Sequence, residues 1–175
     1  MNKLFKTLSI LAAITLFITA CSAQTVQGEQ VPAKTVTYKD VLGKSLNDKE
    51  VVDFIDINNC SSAAQFQLCK DVGMALWLGS GQRVETVCLY LNNVDGFASY
   101  KGELPLGLKF YDIKEAVEYK LKRKDVGNAG LPDEGSSPDH LHYWAMYKQA
   151  GMTIIYNSPL PEDEDASIYA ILISK

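Results

Sequence analysis

The only two histidines of the chain stand close together in Asp139-His140-Leu141-His142. Side chains two residues apart on a β-strand point to the same face, so the two rings have a spacing that a metal site can use. Asp139, at the start of the strand, cannot easily face the same way as both rings, and no third histidine exists to complete a site. We therefore expect no metal, and we interpret His140 as a loop residue and His142 as a strand residue at a sheet edge.

Other catalytic and cofactor motifs are also missing from the sequence. There is no Gly-x-Ser-x-Gly elbow, no phosphate-binding glycine loop and no dinucleotide fingerprint. Cys88 lies mid-strand among apolar neighbours, whereas a reactive thiolate needs an exposed, electropositive setting. The acidic run at 162–165 lacks the spaced ligands and the glycine of a calcium loop. We predict that the protein is not an enzyme and holds no cofactor.

The N-terminus carries the signs of export. Lys3 and Lys6 precede an apolar run at 8–18, which is too short to span a bilayer as a helix of the mature protein. The run ends in Ile-Thr-Ala-Cys at 18–21, which resembles the bacterial lipobox. We predict a signal peptide over 1–20, a lipid anchor on Cys21 and a flexible tether over 21–34. The alternative is an ordinary secretory signal that is cleaved nearby, with Cys21 incidental.

This resemblance also implies a compartment. Ser22 follows the cysteine in place of the aspartate linked with inner-membrane retention, which implies an outer-membrane lipoprotein that faces the periplasm. The whole chain has a formal charge of −4, and removal of the signal segment with its two lysines leaves about −6. An acidic surface disfavours nucleic acid and anionic lipid as partners and favours a basic patch on another protein.

Three cysteines remain after Cys21, and an oxidising compartment permits one disulfide among them. We predict the pair Cys60–Cys69, which would tie the loop after the first helix to the first strand. Cys69 and Cys88 fall on strands that a third strand separates, about 10 Å apart, which is too far for a bridge. Cys88 is then a small buried apolar residue.

The order of the predicted helix and strands repeats after a joint at 100–107. Before this joint, Leu-Gly at 42–43 precedes a predicted helix, which we expect Asn47 to cap with Glu50 as its partner. After it, Leu-Gly at 106–107 precedes a second predicted helix, which we expect Asp112 to cap with Glu115 as its partner. A short strand is possible at 36–38. The predicted strands are 65–70, 74–78, 83–91, 141–148, 152–157 and 167–173, and the turns at 70–73 and 79–82 carry the glycines of hairpins.

These elements predict an α+β fold: two tandem repeats, 35–99 and 100–175, each a helix followed by an antiparallel meander, forming one curved sheet with the helices on one face. This plan resembles the β-lactamase-inhibitor-protein fold, and one copy of it resembles the SmpA-like lipoproteins of the barrel-assembly machinery. Two features depart from those families. The second repeat has no cysteine, and a Trp-x-Tyr strand signature is missing unless 143–147 is a displaced version.

Aromatic residues in the strands are the remaining signal, because in a one-layer sheet some of them must face away from the helices. They form either a rigid surface for protein recognition or a set of rings that shield the sheet. Two exposed segments, the turn at 79–82 and the acidic loop at 159–165, would project beside them. The candidate partner-binding residues are Trp77, Tyr90, Tyr143, Tyr147, Tyr156, Asp163 and Glu164.

Three functions fit this picture. The first is a lipoprotein that binds and neutralises another protein, as an inhibitor of an envelope-targeting enzyme or an immunity protein against a toxin. The second is an accessory structural lipoprotein of outer-membrane assembly or envelope maintenance. The third is small-ligand binding on the concave face of the sheet.

Overall fold

The computed structural model of this protein describes residues 37–91, 94–123, 132–138 and 140–175. The chain divides into a unit Met1–Lys34 and a compact unit Thr35–Lys175, and the described residues all belong to the second. The predicted signal peptide, the predicted lipid anchor on Cys21, the predicted tether and Asp139 lie outside the described residues. Within the described ranges, no helix is both long enough and apolar enough to cross a membrane.

Three helices and eight strands make up the described part of the chain. The helices are α1 (Tyr38–Val41), α2 (Lys49–Ile57) and α3 (Lys114–Arg123). The strands are β1 (Ser61–Ala63), β2 (Phe66–Cys69), β3 (Met74–Leu78), β4 (Val84–Tyr90), β5 (Asp133–Ser136), β6 (Tyr143–Tyr147), β7 (Met152–Tyr156) and β8 (Ile168–Ser174).

All eight strands form one antiparallel sheet in the order β1-β2-β3-β4-β8-β7-β6-β5. The α+β class is therefore confirmed, and the six predicted strands lie within two residues of β2, β3, β4, β6, β7 and β8. The expectation of six strands was wrong because β1 and β5 form the two edges. Their sequences, Ser-Ser-Ala and Asp-Glu-Gly-Ser, are short and polar and lack the apolar alternation that marks a strand.

The two central strands come from opposite halves of the chain. β4 pairs with β8, and Cys88 lies opposite Leu172 near the middle of the ladder. Since Thr86 pairs with Ser174 and Tyr90 with Ala170, the start of β4 and the end of β8 share one end of the sheet. The turn at 79–82 therefore lies at the opposite end from the acidic loop before β8. The two segments do not project side by side.

Two helix starts differ from their predictions. Of the possible strand at 36–38, residue 36 lies outside the described residues and the other two are not in a strand, because Thr37 caps α1: the Asp40 carboxylate accepts the Thr37 N–H at 2.8 Å. Asp48, not Asn47, is the N-cap residue of α2. The Asp48 carboxylate turns back to the N–H of Ser45 at 2.9 Å, which closes the turn before the helix.

Asp112 is not the cap of α3, which begins two residues later. Its carboxylate instead accepts the N–H of Lys109 at 2.7 Å and an ion-pair hydrogen bond from Lys120 at 2.7 Å. Asp112 is only 5% exposed. The same turn as at Asp48 thus recurs before α3, but here the carboxylate is buried and holds a lysine of the helix.

The helices pack on one side of the sheet and enclose the core. Val51 and Phe54 of α2 and Val117 of α3 are fully or nearly fully buried. Against them lie the inward side chains of the central strands, among them Leu89 and Ile171. The aliphatic side of β4, with Val87 and Leu89, faces the helices.

The predicted disulfide is present. Cys60, just after α2, is bonded to Cys69 at the end of β2. Cys88 is a free, buried cysteine. The bridge therefore ties the helix layer to the first half of the sheet.

We expect the double substitution Cys60→Ala, Cys69→Ala to lower the free energy of unfolding by about 2–3 kcal/mol, because the bond closes a short loop in the unfolded chain. Chemical denaturation measures this change, with Cys88→Ala as the control, since its small side chain should cost less. A loss below about 0.5 kcal/mol, well under the usual range, would show that the bridge adds little to stability.

Candidate functional site

The side of the sheet that faces away from the helices is the candidate site. Strand alternation and the pairing registers place one set of side chains on it. On the edge strands β1 and β5, Ser61, Ala63, Asp133 and Gly135 also lie on this side. We call the part of the set that lies on the six inner strands the open face: Phe66, Leu68, Ala75, Trp77, Thr86, Cys88, Tyr90, Trp144, Met146, Thr153, Ile155, Ala170, Leu172 and Ser174. None of these side chains is charged, so the open face is apolar with a few hydroxyls.

Large side chains stand on both flanks of the open face, and small ones fill its centre. Phe66 and Trp77 lie opposite each other on β2 and β3 and are 39% and 40% exposed. On the other flank, Trp144 of β6 lies opposite Ile155 of β7. Ala75, Cys88 and Ala170 lie between these flanks and are buried. In the described part of the chain, all three helices pack on the other side of the sheet.

One end of the open face is covered by the chain itself. The ring of Phe97 stacks on Tyr90 with centroids 4.3 Å apart, and both pack on the small cluster around Cys88. The Lys70 ammonium lies 5.5 Å from the Phe97 ring and donates to the carbonyl of Asp95 at 3.1 Å. Tyr90 therefore anchors this cover and is only partly available to a partner.

Cys88 has the surroundings of a structural residue. Burial raises the pKa of its thiol to about 11, and a hydrogen bond with Tyr90 offsets only part of that increase. A thiol with so high a pKa is almost entirely protonated at neutral pH. The thiol is thus suited to packing and not to nucleophilic chemistry.

Three of the predicted interface residues do not lie on the open face, and this part of the prediction was wrong. Tyr143, Tyr147 and Tyr156 point toward the helices and are 4% exposed or less. Alternation on β6 sends its two tyrosines inward and Trp144 and Met146 outward. Because both sets are apolar, hydrophobicity alone could not decide which set faces the helices.

The three buried tyrosines form a cluster beneath α3. The rings of Tyr143 and Tyr156 stack with centroids 5.5 Å apart. Burial raises the pKa of Tyr147 to about 12, which keeps that hydroxyl neutral. Beside Tyr143, Lys114 and Glu134 form an ion pair at 2.9 Å. This cluster belongs to the core.

The acidic candidates lie in the loop between β7 and β8. Asp163 and Glu164 are exposed, and the Asp163 N–H donates to the carbonyl of Leu160 at 3.3 Å. The Asp163 carboxylate also accepts the N–H of Asp165 at 3.1 Å, which keeps the loop tip in a tight turn. The acidic side chains are thus displayed to solvent at one end of the sheet.

The two histidines have different surroundings. His142 stacks on Tyr169 with ring centroids 3.9 Å apart, and its Nδ1 lies 3.0 Å from the carbonyl oxygen of Tyr156. His140 is exposed and has a positive φ of 56°. A search of the described ranges finds no group of three or more metal-ligating side chains.

Sequence reasoning placed Trp77 and Tyr90 among the candidates but missed most of the open face. The missed residues are Phe66, Leu68, Trp144, Met146, Ile155 and Leu172. They could have been found by taking Val87 and Leu89 of β4 as inward-facing residues and then assigning the two faces of every other strand from its pairing register.

Comparison with known proteins finds no relative: no family model matches the chain, and neither the curated proteins nor the solved structures give a significant match.

Proposed function

We propose that this protein is a lipid-anchored, periplasm-facing inhibitor or immunity protein that neutralises another protein by docking on it with the open face. The observation that carries the proposal is the open face itself, an uncharged apolar surface on a rigid sheet with two exposed aromatic side chains on one flank. Exposed apolar surfaces of this kind mark interaction sites, and tryptophan is prominent among interface hot spots.

The open face is smaller than one side of a standard protein interface. The six inner strands at a spacing of about 4.8 Å span roughly 24 Å, and five residues along a strand span about 17 Å, giving about 410 Å². One side of a standard interface buries about 800 Å². The open face therefore covers about half of one side of such an interface, and the loops at its ends would have to supply the rest.

We also propose that the sheet consists of two tandem repeats, as in the β-lactamase-inhibitor-protein fold that the sequence resembles. Equivalent local features support this. A glycine of positive φ precedes each helix, at Gly43 and Gly107, and an aspartate closes the following turn, at Asp48 and Asp112. The pattern Lys-x-x-Gly-Met links equivalent strands at 70–74 and 148–152. The open face would then join two similar halves.

The anchor and the charge complete the proposal. A lipid on Cys21 would hold the protein at the outer membrane, where a partner that attacks the envelope must pass. Asp163 and Glu164 would face a basic cleft on that partner and speed the encounter. No cofactor or nucleic acid takes part.

We expect the pair of substitutions Asp163→Asn, Glu164→Gln to slow association about 3- to 10-fold at low salt and to leave dissociation nearly unchanged. Stopped-flow or surface plasmon resonance measures both rates. The matched control removes two exposed acids of the helix layer, Asp56→Asn with Glu115→Gln. Equal association rates for the two variants would contradict electrostatic steering by the acidic loop.

The experiment that tests the function is affinity capture from envelope and competitor-cell lysates with the unit Thr35–Lys175 as bait. One toxin or hydrolase that is recovered stoichiometrically, and whose activity falls on binding, supports the proposal. Recovery of resident assembly proteins without inhibition supports the alternative, an accessory structural lipoprotein. A bait with Ile155→Lys on the open face must lose the captured protein, whereas Tyr119→Lys on the exposed side of α3 must keep it.

A further inference from the structure

A cleft of about 520 Å³ opens at the end of the sheet where β4 begins and β8 ends. It combines three kinds of groups: an exposed aromatic ring, a pair of hydroxyls and two cations. This combination lies away from Tyr90 and from the acidic loop, which are at the opposite end of the sheet.

The aromatic wall of the cleft is Trp77. Its indole N–H donates to the side-chain carbonyl of Gln65 at 3.3 Å, which fixes the orientation of the ring while 40% of the residue stays exposed. A flat aromatic face of fixed orientation is a platform on which the C–H face of a sugar ring can stack. Next to it, the hydroxyls of Thr86 and Ser174 lie 2.9 Å apart, so one donates to the other and a single O–H donor of the pair remains available.

The cationic wall of the cleft is built around Gly43. The Arg83 guanidinium donates to the Gly43 carbonyl at 3.2 Å, which leaves its other N–H groups available. The Lys175 side chain crosses the same glycine so closely that a Cβ there would lie 2.4 Å from the Lys175 Cδ. An added Cβ would displace this flexible side chain, and the positive φ of 79° at Gly43 also favours glycine.

Neither cation has an acidic partner. In the described ranges, Lys44, Lys49, Lys114, Lys120 and Lys148 all form salt bridges, whereas Arg83 and Lys175 form none. Glu85 also lines the cleft, but its carboxylate accepts the N–H of Ser80 at 3.1 Å and is turned toward the β3–β4 turn. The side chains that line the cleft thus carry two positive charges and one negative charge, and the negative one is turned away from the two cations.

We propose that this cleft binds a sugar ring that carries a carboxylate. The ring stacks on Trp77, its hydroxyls bond with Thr86 and Ser174, and the carboxylate bonds with Arg83 and Lys175. A planar guanidinium suits a carboxylate because it can donate two parallel hydrogen bonds. A simple anion would not use the tryptophan, and a neutral sugar would leave the two cations without a partner. The site shares Trp77, Thr86 and Ser174 with the open face, but its test needs no protein partner.

The test is a titration of the intact, ¹⁵N-labelled protein in detergent, followed through the indole N–H resonance of Trp77. Trp144→Phe removes the second tryptophan resonance and so assigns the first. The probes are glucuronate and N-acetylmuramate, with glucose and acetate as controls. We expect at least one acid sugar to shift the Trp77 resonance with a Kd of about 1 mM, which suits a ligand of this size. Tighter binding of glucuronate would indicate an acidic polysaccharide as the source of the ligand, and tighter binding of N-acetylmuramate a cell-wall glycan.

Arg83→Gln should raise the Kd of that acid sugar at least 10-fold, whereas Lys148→Gln, which removes a paired cation at the same end of the sheet, should change it less than 2-fold. Glucose and acetate should bind at least 10-fold more weakly than the acid sugar. The proposal is overturned if Arg83→Gln has no effect, if glucose binds as well as the acids, or if acetate binds as well without shifting Trp77. The last result would point to an acidic side chain of a protein as the occupant.

Discussion

Replacement of Gly73 by alanine should lower the free energy of unfolding by about 3 kcal/mol, a large effect for the addition of one methyl group. Gly73 ends the turn between β2 and β3 with a φ of 69°. A Cβ there would lie 2.3 Å from the carbonyl oxygen of Ala98 and 2.4 Å from the N atom of Tyr100. The substitution therefore adds a clash between backbone segments to the strain of a left-handed conformation.

The control for this prediction is Gly81→Ala. Gly81 has nearly the same φ, 68°, but no atom lies within 4 Å of its added Cβ. Only the conformational cost should remain there, about 1 kcal/mol. Urea denaturation of the two variants measures the difference. If both lose the same stability, the packing of the 98–100 segment on Gly73 does not contribute, and the cover over Tyr90 is held by other contacts.

Removal of the Asp112 carboxylate should also have a large effect, about 2–3 kcal/mol for Asp112→Ala. The buried carboxylate accepts both the N–H of Lys109 and the ammonium of Lys120, each at 2.7 Å. Alanine leaves the Lys109 N–H without its partner and the lysine of α3 without its counter-charge. Because the Lys120 side chain is 30% exposed, water compensates part of this loss.

The equivalent residue in the first half of the chain supplies the control. Asp48 accepts the N–H of Ser45 at 2.9 Å in the same kind of turn, but it is exposed and has no lysine bonded to it. Asp48→Ala should therefore cost about 1 kcal/mol or less. Asp112→Asn, which keeps an acceptor oxygen but loses the charge, should fall between the two. Thermal unfolding measures these losses. If Asp48→Ala and Asp112→Ala lose the same stability, the burial of Asp112 and its ion pair with Lys120 do not contribute to stability.

The strands were predictable from the sequence where side chains alternate or where glycine turns bound an apolar run. The six central strands have these signals, and the edge strands β1 and β5 do not. An edge strand gains its order from hydrogen bonds to a neighbour, so a polar sequence such as Ser61–Ala63 can form one. The Cys60–Cys69 bond was predictable because strand spacing excluded the pair Cys69–Cys88.

The helix starts and the face of the sheet were harder to predict. Asp48 and Asp112 have the residue type of a cap, but each carboxylate bonds to a backbone N–H three residues earlier, which the pattern alone does not distinguish. On β6, tyrosines alternate with Trp144 and Met146, and both sets are apolar. The cleft beside Trp77 unites Gly43, Arg83 and Lys175, whose proximity follows from the pairing of β4 with β8 and from the bridge between Ser45 and Arg83.

The binding constant of the captured partner for variants of the open face tests the central proposal most directly. Isothermal titration calorimetry would compare the wild-type protein with Ile155→Lys and Trp144→Ala, and with Tyr119→Lys on the helix side. We expect Ile155→Lys to raise the Kd at least 100-fold, because an interface would have to bury an unpaired charge, and Trp144→Ala to raise it at least 10-fold. Tyr119→Lys should change it less than 2-fold. If the open-face variants keep their stability and bind as tightly as the wild type, the partner docks elsewhere and the proposal is wrong.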